Sequence, residues 1–129
     1  MITTNRINCI FLYCEDLAKQ RAFYEAAFDL GKPVVNAKWW IEYAMGHGSH
    51  LALHQGRTEH FDGVNRAKNT IRFSIETIDI HGLTVKLKSL GAKFHYEPRA
   101  EYGFWLAEFE DPEGNVLRLY EKAKPARTA

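Results

Sequence analysis

The chain predicts an α+β fold, built as two β-α-β-β-β modules in tandem. Each module is a curved mixed sheet, with its helix on the outer face and a cleft on the inner one. Three observations carry this. The order strand, helix, three strands can be traced twice. Each helix has an Asp before it and a Leu-Gly pair after it, Asp16 with Leu30-Gly31 and Asp79 with Leu90-Gly91. Near the end, Glu110-Asp111-Pro112-Glu113-Gly114-Asn115 separates two β-rich flanks as a hairpin turn.

Ile7 to Cys14 is apolar and reads as a buried strand. A helix follows over Leu17 to Leu30, with Phe23, Ala27 and Leu30 on one face. Pro33 breaks the chain, and Val34-Val35 is a short strand. Lys38 to Tyr43 and His50 to His54 form a hairpin around Gly46-His47-Gly48-Ser49. In the second copy, Ile71 to Glu76 is a strand, and Leu83, Leu87 and Leu90 mark a helical face. Phe94-His95-Tyr96 is a short strand, and the closing hairpin completes the copy.

In that hairpin Asp-Pro opens the turn because proline pre-sets φ, and Gly114 and Asn115 tolerate a positive φ. The simplest register sets Glu108 opposite Arg118 and Leu106 opposite Tyr120, with Phe109, Leu117 and Leu119 on the other face. The whole is a single domain, 1–129. The first module covers 5–55, a polar linker 56–68, the second module 69–122, and a tail 123–129.

A hydrophobic fraction of 46% is ample for a core, and a formal charge of +1 with no basic run argues against nucleic acid as a partner. No apolar run approaches the ~20 residues of a membrane span, and no signal-peptide pattern stands at the N-terminus. Cys9 and Cys14, an odd number of residues apart, point to opposite faces of a strand and do not pair. A cytoplasmic location is expected.

The duplication, with Asp16-Leu17 before Phe23-Tyr24…Leu30-Gly31 and Asp79-Ile80 before Leu87…Leu90-Gly91, resembles the vicinal oxygen chelate superfamily. Its most specific part is Phe109-Glu110-Asp111-Pro112-Glu113-Gly114-Asn115-Val116-Leu117. That superfamily includes glyoxalase I, extradiol dioxygenases, fosfomycin-resistance transferases and bleomycin-resistance binding proteins. The resemblance implies one divalent metal held by His, Gln or Glu side chains on four strands. Here those positions are Cys9, Ala52, Arg72 and Arg118, two of them pinned by motifs and two (Ala52 and Arg72) within a residue or two. Alanine offers no ligand and arginine repels a cation, so no divalent metal or other cofactor is expected. The resemblance also implies a homodimer.

Strand alternation puts Cys9, Phe11, Tyr13, Trp40, Glu42, His50, Ala52, His54, Arg72, Ser74, Glu76, Leu106, Glu108, Arg118 and Tyr120 on the cleft side. From these the expected ligand-binding residues are Phe11, Tyr13, Trp40, Glu42, Arg72, Glu108, Arg118 and Tyr120. Trp40 either stacks on a flat ligand or packs in a dimer interface, while Trp39 and Trp105 belong to the core. Arg72 and Arg118 either bind a carboxylate or phosphate, or are neutralised by Glu42 and Glu108. His50 and His54, ~13 Å apart on a strand, cannot share one ion and read as surface or interface histidines. Cys9 reads as an inert thiol with no histidine to activate it.

The expected function is a metal-independent, sequestering or resistance-type protein for an aromatic or anionic small molecule. The alternative is a lyase, isomerase or dioxygenase with altered ligands, or acid/base chemistry on Glu42 or Glu108. A third reading is a partner-binding module with a vestigial cleft.

Overall fold

The Asp16 and Asp79 side chains cap two helices in the same way. Asp16 Oδ1 accepts from Lys19 N at 3.0 Å and Asp79 Oδ1 from Gly82 N at 3.0 Å. In the computed structural model, which describes residues 4, 6–62, 71–101 and 103–122, these caps start α1 (Leu17–Phe28) and α2 (Ile80–Ser89). The chain divides into two compact units, Met1–Asn69 and Thr70–Ala129. Part of the expected linker, 63–68, and the tail, 123–129, lie outside the described residues.

The first unit orders β1 (Ile10–Cys14), α1, β2 (Val35–Asn36), β3 (Trp40–Ala44) and β4 (His50–Gln55). Its sheet runs β1-β4-β3-β2, with β1 parallel to β4 and the other pairs antiparallel. The second unit orders β5 (Ser74–Glu76), α2, β6 (Lys93–Glu101), β7 (Phe104–Glu110) and β8 (Val116–Lys122). Its sheet runs β5-β8-β7-β6, again with only the first pair parallel. Among the described residues two α-helices and two four-stranded mixed sheets make an α+β protein, as expected.

The parallel pair in each copy needs a crossover, which the helix supplies. Alternation then sends one set of side chains under the helix. In the first unit Ile41, Tyr43, Leu51 and Leu53 are buried together with Phe23, Tyr24 and Ala27 of α1. In the second, Ile75, Ala107, Phe109, Leu117 and Leu119 are buried with Ile80, Thr84 and Leu87 of α2. Burial pushes the Tyr43 phenol up to about 12, so it packs as a neutral group.

Six expectations need correction. β1 begins at Ile10 rather than Ile7, and β5 holds only Ser74–Glu76, so Arg72 precedes its strand. Helix α1 ends at Phe28, where Asp29 takes the left-handed conformation (φ 51°) expected at Gly31; its N–H still reaches Glu25 O. Leu90 caps α2 and is 38% exposed instead of packing. The short strand at residues 94–96 is a nine-residue strand with two register shifts against β7. Trp39 is 61% exposed, because β3 starts one residue later and strand alternation does not govern it.

The closing hairpin holds the expected register, with Glu108 opposite Arg118 and Leu106 opposite Tyr120. Gly114 sits at φ 84°, a region closed to most side chains.

Candidate functional site

Each sheet has a second face, away from its helix, and on it the two copies are equivalent position by position. In the first unit Phe11, Ala52 and Glu42 are neighbours across β1, β4 and β3. In the second the same places hold Ser74, Arg118 and Glu108 across β5, β8 and β7. Sequence alone pins Arg118 by its turn; the ladder now makes Ala52 its counterpart.

The first face is aromatic. Phe11 (43% exposed) lies 5.3 Å from Trp40 and 5.4 Å from Tyr13, ring centre to ring centre. His54 joins the group at 5.4 Å from Tyr13 and 5.5 Å from Trp40, and His60 stacks on Tyr13 at 3.8 Å and 12°. Beside these rings a carboxylate is held from two sides. Trp40 Nε1 donates to Glu42 Oε1 at 2.9 Å, and His50 Nδ1 lies 2.5 Å from Glu42 Oε2. Those two bonds, His50 first, hold the Glu42 carboxyl below its usual range. Burial, and then the Glu42 charge, push the Cys9 thiol up, which disfavours a thiolate there.

On the second face Glu108 does not neutralise Arg118. Its Oε1 meets His95 Nδ1 at 2.9 Å, and Glu110 Oε2 meets the other ring nitrogen at 3.0 Å. Arg118 Nε is buried with no hydrogen-bond partner among the described residues. Tyr120 packs on Phe104 at 5.5 Å, and Arg99 lies 4.0 Å over the Tyr96 ring. Arg72 is exposed and its Nη1 donates to Ile71 O. Trp105, expected in the core, is half-buried and meets His81 of α2 edge-on at 4.7 Å.

The structure thus brings Phe11, Tyr13, Trp40 and Glu42 together on one face, and Glu108, Arg118 and Tyr120 on the other. Arg72 is outside both ladders. Of the two readings left open for Arg118, pairing with Glu108 is not found among the described residues, where Glu108 bonds to His95; Glu42 bonds to Trp40 and His50. His50, His54, His60 and His95 were not counted as site residues. His50 lay within reach of sequence reasoning, since it sits opposite Ala44, one strand over and two residues along from Glu42. His95 did not, because it is the extra residue at a bulge between Phe94 and Tyr96. A separate concavity of about 430 Å³, lined by Glu15, Gln55, Gly56, Thr58, Phe61 and Asp62, opens at the far end of β1 and β4.

A testable consequence attaches to His95. The bonds to Glu108 and then Glu110 raise its pKa above the ordinary 6.5. Stabilisation from this clamp is therefore full below pH 6.5 and is lost as pH rises through the folded value. From about pH 5 upward, where the carboxylates are charged, the melting-temperature gap between the protein and His95→Gln is expected to shrink with pH. A gap that widens with pH would contradict the clamp.

The family model for the glyoxalase/bleomycin resistance protein/dioxygenase superfamily matches residues 6–119. The chain belongs to this superfamily. A relative from Bacillus subtilis (strain 168), the uncharacterised protein YetH, is 30% identical over 122 residues, covering 90% of this chain and 98% of that one. Among solved structures, a glyoxalase-related enzyme from Fulvimarina pelagi superposes with a TM-score of 0.73 at 17% identity, over 91% of this chain and 88% of that one. A lactoylglutathione lyase from Agrobacterium tumefaciens gives 0.68 at 20% identity, over 90% and 92%. At these identities the structures establish the fold alone.

The superfamily's divalent metal is a poor fit to the donors present. Ala52, wholly buried, has no donor atom, and its counterpart in the second copy is a cation, Arg118. Among the described residues no three of His, Cys, Asp and Glu converge on one point as a metal would require. No helix among the described residues is long and apolar enough to cross a membrane.

Proposed function

We propose that this superfamily member binds a small aromatic or anionic molecule without a divalent metal, in the manner of its bleomycin-resistance branch. The observation that carries the reading is Arg118, a cation whose Nε is buried without a hydrogen-bond partner among the described residues, at the position equivalent to Ala52. A buried guanidinium nitrogen with no acceptor is costly, and a carboxylate or phosphate oxygen would satisfy it. The first unit offers a surface of its own for a flat aromatic molecule, the exposed rings of Phe11 and Tyr13 with half-buried Trp40 beside them. A homodimer in the cytoplasm belongs to the same proposal; Cys9 and Cys14 form no disulfide, in keeping with a reducing compartment.

The test is elemental analysis of protein purified without chelator, with a thermal-shift screen of flat aromatic carboxylates. The expected result is no stoichiometric metal, and a melting temperature raised by at least one compound equally with and without EDTA. One tightly bound Fe, Mn, Ni or Zn per chain, lost on Cys9→Ala or Arg118→Ala, would overturn the proposal.

A further inference from the structure

The Glu42–His50 pair goes unused by a binding protein. Its geometry is that of a held base. A carboxylate oxygen at Nδ1 accepts a proton and cannot give one, so in the neutral ring Nδ1 carries the hydrogen and Nε2 the lone pair. Nε2 has no hydrogen-bond partner among the described residues. Glu42 is fixed in turn by the Trp40 indole N–H, so the base is oriented by a second bond behind it. The His50 side chain is 29% exposed and that of Glu42 14%, which leaves the imidazole accessible and its carboxylate largely covered.

We propose that the first unit carries a proton-transfer site, with His50 as general base for a flat, conjugated carbon acid stacked on Phe11 and Trp40. Glu42 is the positioning residue. The proposal rests on the binding reading for the stacking surface only, and makes no use of Arg118. In the step, His50 Nε2 takes a proton from carbon and the C–H electron pair passes into the conjugated system. The same nitrogen can return the proton at another position, an isomerisation that needs no oxidant or co-reactant.

Nitrobenzisoxazole is a suitable probe, being flat, aromatic and a carbon acid. Removal of its ring C–H proton forms a nitrile as the N–O bond breaks, and the electron pair leaves on oxygen as a coloured phenolate. Binding is read separately from quenching of tryptophan fluorescence. The expected result is turnover lowered about 100-fold in His50→Gln and about tenfold in Glu42→Gln, with binding retained. His47→Asn, in an exposed turn, should match the parent. Melting temperatures of the variants show that each is folded, and Glu42→Gln still decides if His50→Gln is not.

Turnover equal in the parent and His50→Gln, with the probe bound in both, would overturn the base while leaving the binding reading intact. Turnover that survives in His50→Gln with the parent's pH profile would also overturn it. Absence of both binding and turnover counts against both.

Discussion

Arg118→Ala is expected to weaken binding of an aromatic carboxylate by ~10–150-fold with little loss of stability, the value of a shielded charge-assisted hydrogen bond of about 1.5–3 kcal/mol. The small stability cost follows from the second face of the sheet. Were Arg118 the partner of Glu108, its removal would strand a carboxylate and destabilise the fold. Glu108 is instead bonded to His95, and that bond survives the substitution. Deleting the guanidinium also removes a buried nitrogen that has no acceptor among the described residues. Isothermal titration and thermal melts on Arg118→Ala, with whichever carboxylate the screen identifies, are the measurements. A large fall in melting temperature with unchanged affinity in the folded Arg118→Ala protein would refute the anchor.

The fold was legible because its signals are local and occur twice. Asp16 and Asp79 announce their helices through side-chain caps that depend on three residues each. Period-two alternation placed Phe109, Leu117 and Leu119 on the helix side, where they are fully buried. Alternation failed where strands start late or slip. Trp39 lies one residue before β3, and the Ile7 and Arg72 stretches lie before their strands, so parity had nothing to act on. β6 carries two bulges, and the first brings His95 to the carboxylates of Glu108 and Glu110. The partner of Glu108 was hidden for a related reason. Opposite-sign residues directly across a ladder invite an ion pair, yet Glu108 reaches sideways to the bulged histidine.

Asp111→Ala is expected to lower stability by about 3 kcal/mol, or roughly 10 °C in melting temperature for a chain of this size. Asp111 is 5% exposed and organises the turn after β7 with both oxygens. Its Oδ1 accepts from Glu113 N and Asn115 N, each at 2.9 Å, and its Oδ2 accepts from Asn115 Nδ2 at 2.9 Å. Its backbone closes the same loop, N–H to Asn115 O and C=O from Gly114 N. Alanine keeps the backbone bonds and strips three side-chain ones, leaving two part-buried N–H groups to find water. Because β8 begins at Val116, the turn sets the register that puts Arg118 opposite Glu108. A loosened turn therefore costs geometry at the site as well as stability. Asp111→Asn is the discriminating partner variant. Its carbonyl oxygen can keep the two backbone N–H groups, and Asn115 can rotate its amide to offer an oxygen to the new NH2, so about half the loss should return. Differential scanning calorimetry on the parent and both variants reads the order. If alanine and asparagine are equally destabilising, the side-chain network is not what holds the turn; if neither lowers the melting temperature, Pro112 and Gly114 suffice without it.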